Sequence, residues 1–203
     1  MKKFLVLTAA LVLVAITVCL AEQKFLVIDD MESQISGAPE GSVDFGAGNG
    51  SSVTVTASTD TVQSGKQSMK VDYDSVDGGY MWIARGSGLD AKNSKWDVDG
   101  KTIDWEKYQA ISFYMYGTDS KRDVAFDVKD NGGEILRFIV NDNFKGWKQI
   151  VCAFDQLYAR DDWQPESAEK NGTIDFPLKS YQFEPKGAGK GTLYFDAVAL
   201  IEK

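Results

Sequence analysis

Along most of the chain, apolar and polar residues alternate one for one in short runs. A two-residue period places every second side chain on one face, the mark of a strand with one buried side. At 52–57, Val53 and Val55 alternate with Ser52, Thr54 and Thr56; at 68–73, Met69, Val71 and Tyr73 share a face. Runs at 80–84, 123–128, 135–140, 147–154 and 180–184 are also read as strands, and apolar runs at 24–28, 110–116 and 192–201 complete a set of about ten. Between them stand turn signals: Ser64-Gly65-Lys66, Asp77-Gly78-Gly79, the hairpin signal Asn131-Gly132-Gly133, and Lys145-Gly146. Residues 104–108 read as one helical turn, and nothing longer is helical. Residues 33–52 are a long loop or a frayed strand, and 85–101 are irregular. This spacing predicts an all-β fold, a two-sheet antiparallel β-sandwich of the jelly-roll type. Pairing of the first strand with the last would close it and bring residues 29–32 near Asp196. No linker or repeat divides the chain.

The N-terminus breaks the pattern. Met1-Lys2-Lys3 is basic, residues 4–20 are apolar, and Cys19 and Ala21 put small residues three and one before a cut. The expectation is a signal peptide over residues 1–21 and a single domain over 22–203. That domain would be secreted, periplasmic or held at the cell surface, with no membrane attachment after cleavage. The whole chain of 203 residues carries 22 Lys and Arg against 30 Asp and Glu, and no His. Loss of Lys2 and Lys3 leaves a net charge of about −10. Such a surface argues against nucleic acid and anionic membranes and suits a neutral partner. Cys152 would be the one cysteine left, a buried thiol on the apolar face of its strand. Without His, Ser-His-Asp and Cys-His nucleophiles and His/Cys zinc sites are excluded. A glycosidase pair could be drawn from Asp130, Asp161 and Asp162. Acidic residues are too abundant for that pairing to carry weight, and no enzyme activity is expected.

One stretch is dense in chemistry: Tyr158-Ala159-Arg160-Asp161-Asp162-Trp163-Gln164-Pro165. A guanidinium, two carboxylates, an indole and an amide are poor core material, because buried charge needs partners. They suit recognition of a polyhydroxylated ring, with Arg and Asp for the hydroxyls and the indole face for the apolar side. The competing reading is a loop in which Arg160 pairs with Asp161 or Asp162 and Trp163 folds onto the core. Trp105 and Trp147, at strand entries, are assigned to the core; Trp96 is left open.

The runs Val27-Ile28-Asp29-Asp30-Met31-Glu32, Asp104-Trp105-Glu106-Lys107-Tyr108, Gly146-Trp147-Lys148-Gln149-Ile150, Arg160 to Pro165, Gly172-Thr173-Ile174-Asp175 and Leu193-Tyr194-Phe195-Asp196 occur in this order. Together they resemble the family 11 carbohydrate-binding modules, jelly-roll domains of the galactose-binding-like kind that bind mixed-linkage β-glucan and cellulose chains. The resemblance covers most of the domain, and its most specific segment is the Arg-x-Asp-aromatic-Gln-Pro run at 160–165. It implies a non-catalytic protein with a β-glucan-like polysaccharide as partner. It implies a sugar cleft containing Arg160, Asp162, Trp163 in place of the usual Tyr, and Gln164. Tyr80, after Asp77-Gly78-Gly79, resembles a cleft Tyr, a role that Trp82 also fits. Lys179 and Pro185 stand where the family has a cleft Asp and Tyr, and Asp130 is the nearest candidate for a further cleft Asp.

The carboxylates Asp29, Asp30, Glu32 and Asp196 read either as a solvated acidic edge or as hard oxygen ligands. The second reading resembles the structural calcium site of jelly-roll carbohydrate modules. It gives a Ca2+ ion held by Glu32, Asp196 and Asp30 with carbonyl oxygens from the turn at Lys66. The alternative function is a self-associating structural or assembly protein of the cell surface or an extracellular filament, a homo-oligomer built through exposed strand edges and the Gly-rich 36–50 loop.

Overall fold

The structure, a computed structural model, describes residues 24–203; the expected leader and its cut before Glu22 lie outside the described residues. Two antiparallel sheets of six strands each pack face to face. The first sheet contains β1 (Phe25–Asp29), β3 (Ser52–Ser58), β4 (Ser68–Ser75), β6 (Tyr108–Thr118), β9 (Lys145–Ala153) and β12 (Gly189–Glu202). Its order is β3-β4-β12-β6-β9, and β1 pairs with the C-terminal part of β12. The second sheet contains β2 (Asp44–Gly48), β5 (Tyr80–Gly86), β7 (Asp123–Lys129), β8 (Ile135–Asn141), β10 (Tyr158–Ala159) and β11 (Ser180–Pro185). Its order is β10-β8-β7-β11-β5-β2.

The expected sandwich is found, and the first and last strands do pair, with Phe25 opposite Ile201. The inward positions of the alternating runs meet in an aromatic centre. Phe113 and Phe195 come from the first sheet, and Phe126 and Phe183 from the second. Phe183 stacks on Phe195 at 3.8 Å between centroids, and Phe113 meets Phe126 at 4.6 Å. Trp105 and Trp96 are buried, Trp105 donating from Nε1 to the Gly100 carbonyl and Trp96 from Nε1 to that of Arg85. Trp147 is not core. It lies half-buried on the outer face of the first sheet, edge-on to Tyr116.

One polar group crosses the core. Asp29 ends β1 fully buried, and Arg85, 1% exposed, reaches it from β5 through Nε–Oδ2 at 2.6 Å and Nη2–Oδ1 at 2.9 Å. The Tyr181 hydroxyl of β11 donates to the same carboxylate at 2.7 Å. Asp29 therefore ties the two sheets together and is not part of an acidic edge. Charge patterning alone could not show this, because Arg85 falls where the alternation of 80–84 ends.

Candidate functional site

The inward residues of the second sheet are apolar, so its outer face receives the alternate positions. These are Tyr80 and Trp82 on β5, Asp127 on β7, Arg137 on β8, and Gln182 and Glu184 on β11. The chain leaving β10 folds over one side of this face. Together they enclose an open cleft of about 680 Å3. Arg160, Asp162, Trp163 and Pro165 line it from the loop, and Asp44, Tyr80, Trp82, Asp127, Gln182, Glu184 and Lys186 from the sheet.

Gln164 explains how the loop holds its shape. Its Oε1 accepts from the Ile135 N–H at 2.8 Å, and its Nε2 donates to the carbonyls of Ile135 at 2.8 Å and Arg160 at 2.9 Å. The amide thus continues the β8 ladder where β10 stops, and it does not line the cleft. Trp163, next to it, is held outward at 57% exposure, with the Arg160 guanidinium 5.8 Å from its ring centroid. The salt-bridged reading of the loop holds for its ion pair but not for its indole. Arg160 Nε is paired with Asp162, yet Trp163 does not fold onto the core.

The cleft floor is a network of three cations and three carboxylates. Arg137 grips Asp127 with Nε–Oδ1 at 2.7 Å and Nη2–Oδ2 at 2.9 Å, and Nη2 also reaches Glu184 Oε2 at 2.6 Å. Arg160 Nη1 donates to Asp127 at 3.3 Å, and Lys186 bridges Glu184 at 3.1 Å and Asp162 at 3.4 Å. Gln182 Nε2 adds a contact to Asp127 at 3.4 Å. Burial pushes the Asp127 carboxyl up, against the pull of Arg137 and Arg160. Burial acts the same way on Asp162, but there the Arg160 hydrogen bond and the charges of Arg137, Arg160 and Lys186 win. They hold it well below the usual carboxylate range. The network is neutral overall and offers fixed donors and acceptors rather than net charge.

Placement in the fold revises several positions. Asp130 is buried away from the cleft, accepting from the N–H groups of Glu134 and Asp175, and the cleft carboxylate on that hairpin is Asp127. Pro185 is buried opposite Val124, and Lys179 turns to the Asn131 carbonyl; the cleft face of that strand carries Ser180, Gln182 and Glu184. Asp127, Arg137 and Glu184 carry the floor, and their signal was a charge at the outward position of an otherwise apolar strand.

At the distant sheet junction, Glu32 Oε1 accepts from the N–H groups of Lys66 and Gln67, and Asp196 Oδ2 from those of Gln63 and Ser64. Register shifts in β12 after Asp196, where Ala197 takes φ 41°, accompany this placement of the carboxylate. Burial raises the Asp196 pKa and the Glu32 charge adds to it, opposed by the turn N–H groups. Asp30 is drawn elsewhere: its N–H donates to Asp97 Oδ2 and its own Oδ1 accepts from the Glu32 N–H. Among the described residues, no group of three or more Asp, Glu, His or Cys side chains converges on one point, so an ion here would rest on Glu32, Asp196 and backbone oxygens.

Residues 17–203 match the family model described as carbohydrate binding domain (family 11). The chain belongs to this family. Two solved structures similar to this family 11 domain come from Clostridium thermocellum. One is a family 11 carbohydrate-binding module in complex with a β-1,3-1,4-mixed-linked tetrasaccharide, at 23% identity and TM-score 0.69 over 90% of this chain and 97% of that one. The other is the family 11 module of the cellulosomal cellulase Lic26A-Cel5E, at 21% identity and TM-score 0.67 with the same coverage. No curated protein sequence matches the chain. These likenesses agree with the two-sheet fold of the family 11 domain.

Proposed function

We infer that this family 11 domain binds a neutral β-linked glucan in the cleft of its second sheet and performs no chemistry on it. One observation carries the reading: an open cleft has exposed aromatic rings at both ends, Trp163 at 57% and Tyr80 at 48%, and a neutral floor of fixed hydrogen-bonding groups between them. Exposed rings stack on the apolar side of a pyranose, while the paired Arg and Asp groups address the hydroxyls. The family and the mixed-linkage ligand of a similar module support a β-glucan as the ligand class. Glycoside hydrolysis needs one carboxyl that holds a proton near neutral pH. Asp162 is held in the opposite direction, and Asp127, although pushed up by burial, has both oxygens engaged by the Arg137 and Arg160 guanidinium groups, leaving neither free to protonate a leaving group.

Gel retardation by soluble mixed-linkage β-glucan tests the reading. The protein is expected to be retarded and Trp163→Ala to run freely. Free migration of the unmodified protein in β-glucan and cellulosic gels would overturn it. We assign secretion on the leader-like N-terminus, and a structural calcium ion to Glu32 and Asp196. Glu32 has one oxygen fixed by the turn N–H groups, and Asp196 has Oδ2 fixed by them and Oδ1 met only by the Ser64 hydroxyl at 3.5 Å; a hard cation would take the outer oxygens, with turn carbonyls and water completing its shell. The expected result is a chelator-sensitive melting temperature that loses its calcium dependence in Glu32→Gln and Asp196→Asn.

A further inference from the structure

The aromatic end of the cleft is built on two glycines. On β2, the positions facing the cleft are Asp44, Gly46 and Gly48, and in register across the strand pair they meet Ala84, Trp82 and Tyr80. A methyl added at Gly46 would fall 2.6 Å from Trp82 Cη2 and Cζ2, and one at Gly48 would fall 2.4 Å from Tyr80 Cζ. Both rings are therefore laid across the edge strand, each over its own glycine, instead of standing off the sheet. They lie 16° from parallel with centroids 6.2 Å apart. Trp82 is also held edgewise, its Nε1–H donating to Asp44 Oδ1 at 2.9 Å. Neither glycine has a positive φ, so turn geometry does not require them. Glycine inside a strand weakens it and marks a place where something must come close.

We propose that Gly46 and Gly48 are specificity-determining positioning residues. By leaving room for Trp82 and Tyr80 to lie down, they make a flat two-ring floor that stacks on consecutive units of an extended glucan and rewards ligand length. This rests on the binding reading above. The charged network reads hydroxyls near Trp163; the two-ring floor has its indole N–H, on Trp82, already committed to Asp44 and contributes mainly stacking, with the Tyr80 hydroxyl as its remaining polar group.

Calorimetry with a ladder of β-glucan oligosaccharides from disaccharide to hexasaccharide tests it. For the unmodified protein, affinity is expected to climb with length. In Gly46→Ala and Gly48→Ala the methyl lifts a ring and removes roughly tenfold of that climb, while short-ligand affinity and melting temperature stay near those of the parent. Trp82→Ala and Tyr80→Ala, which leave β2 untouched, should show the same truncation and carry the test if a glycine variant misfolds. The atoms crowded at Gly46 belong to the benzo ring, so adding Trp82→Phe to Gly46→Ala should restore part of the length dependence. If both glycine variants, or both ring deletions, keep the parental climb with length, the floor is only a cover for the strand edge and the proposal falls. If the unmodified protein binds no oligosaccharide of any length, the binding reading itself falls.

Discussion

Gln164 acts on the cleft without entering it. Its amide supplies the missing partner of the Ile135 N–H, adds a second donor to the Ile135 carbonyl beside the Arg160 N–H, and ties back the Arg160 carbonyl. Gln164→Ala is expected to leave the N–H of the buried Ile135 unpaired, costing about 1–3 kcal/mol. It should also free the 160–163 loop, so that weaker glucan binding accompanies a lower midpoint in chemical denaturation. Asp162 behaves differently, because its ion pairs hold it well below the usual carboxylate range. A depressed carboxylate contributes stability in full above its unfolded pKa, about 3.9, and loses it as pH falls through the lower folded value. The side-chain carboxylate carbon of Asp162 should therefore show no titration between pH 7 and about 4. A midpoint within that interval would contradict the network.

At the scale of strands, the alternation in the sequence maps closely onto the sheets. Met69, Val71 and Tyr73 share a face as read, and that face is the inner one; Phe126 and Phe183 also face inward. Positions whose outcome depends on residues far along the chain were not legible. β2 hides in a Gly-rich stretch because its cleft face carries no side chain at Gly46 and Gly48; the rings that cover it come from β5. Asp29 reads as one of a run of acids until β5 delivers Arg85 across the sandwich. Arg137 and Glu184 read as ordinary strand residues until sheet order brings β8, β7 and β11 side by side. The most chemical stretch, 160–165, could be found from residue types, but the division of labour within it could not. Asp29→Ala is expected to destabilise the domain by about 3–5 kcal/mol, since it strands a buried guanidinium. Phe183→Ala should cost a similar amount, about 3–5 kcal/mol, through a cavity in the aromatic centre. Urea denaturation checks both, and neither residue lines the cleft.

The molecule carries a second aromatic surface that competes for the sugar role. On the outer face of the first sheet, Trp147, Tyr116 and Tyr194 sit side by side across β9, β6 and β12, edge-on to one another at 5.5 and 5.8 Å. Those rings spend their edges and faces on each other. The rings on the second sheet are presented around a concave, hydrogen-bonding floor, which is why the cleft is assigned there. The acidic composition of the whole chain, 30 acidic against 22 basic residues, surrounds a cleft whose own charges balance, consistent with a neutral ligand. Chemical-shift mapping of the backbone amides during titration with a β-glucan oligosaccharide separates the two faces in one experiment. The account predicts that perturbations concentrate at Tyr80, Trp82, Gln182 and Arg160 to Trp163, with Tyr116, Trp147 and Tyr194 unmoved. Perturbations centred on Trp147 and Tyr194 instead, or none at saturating oligosaccharide, would contradict it.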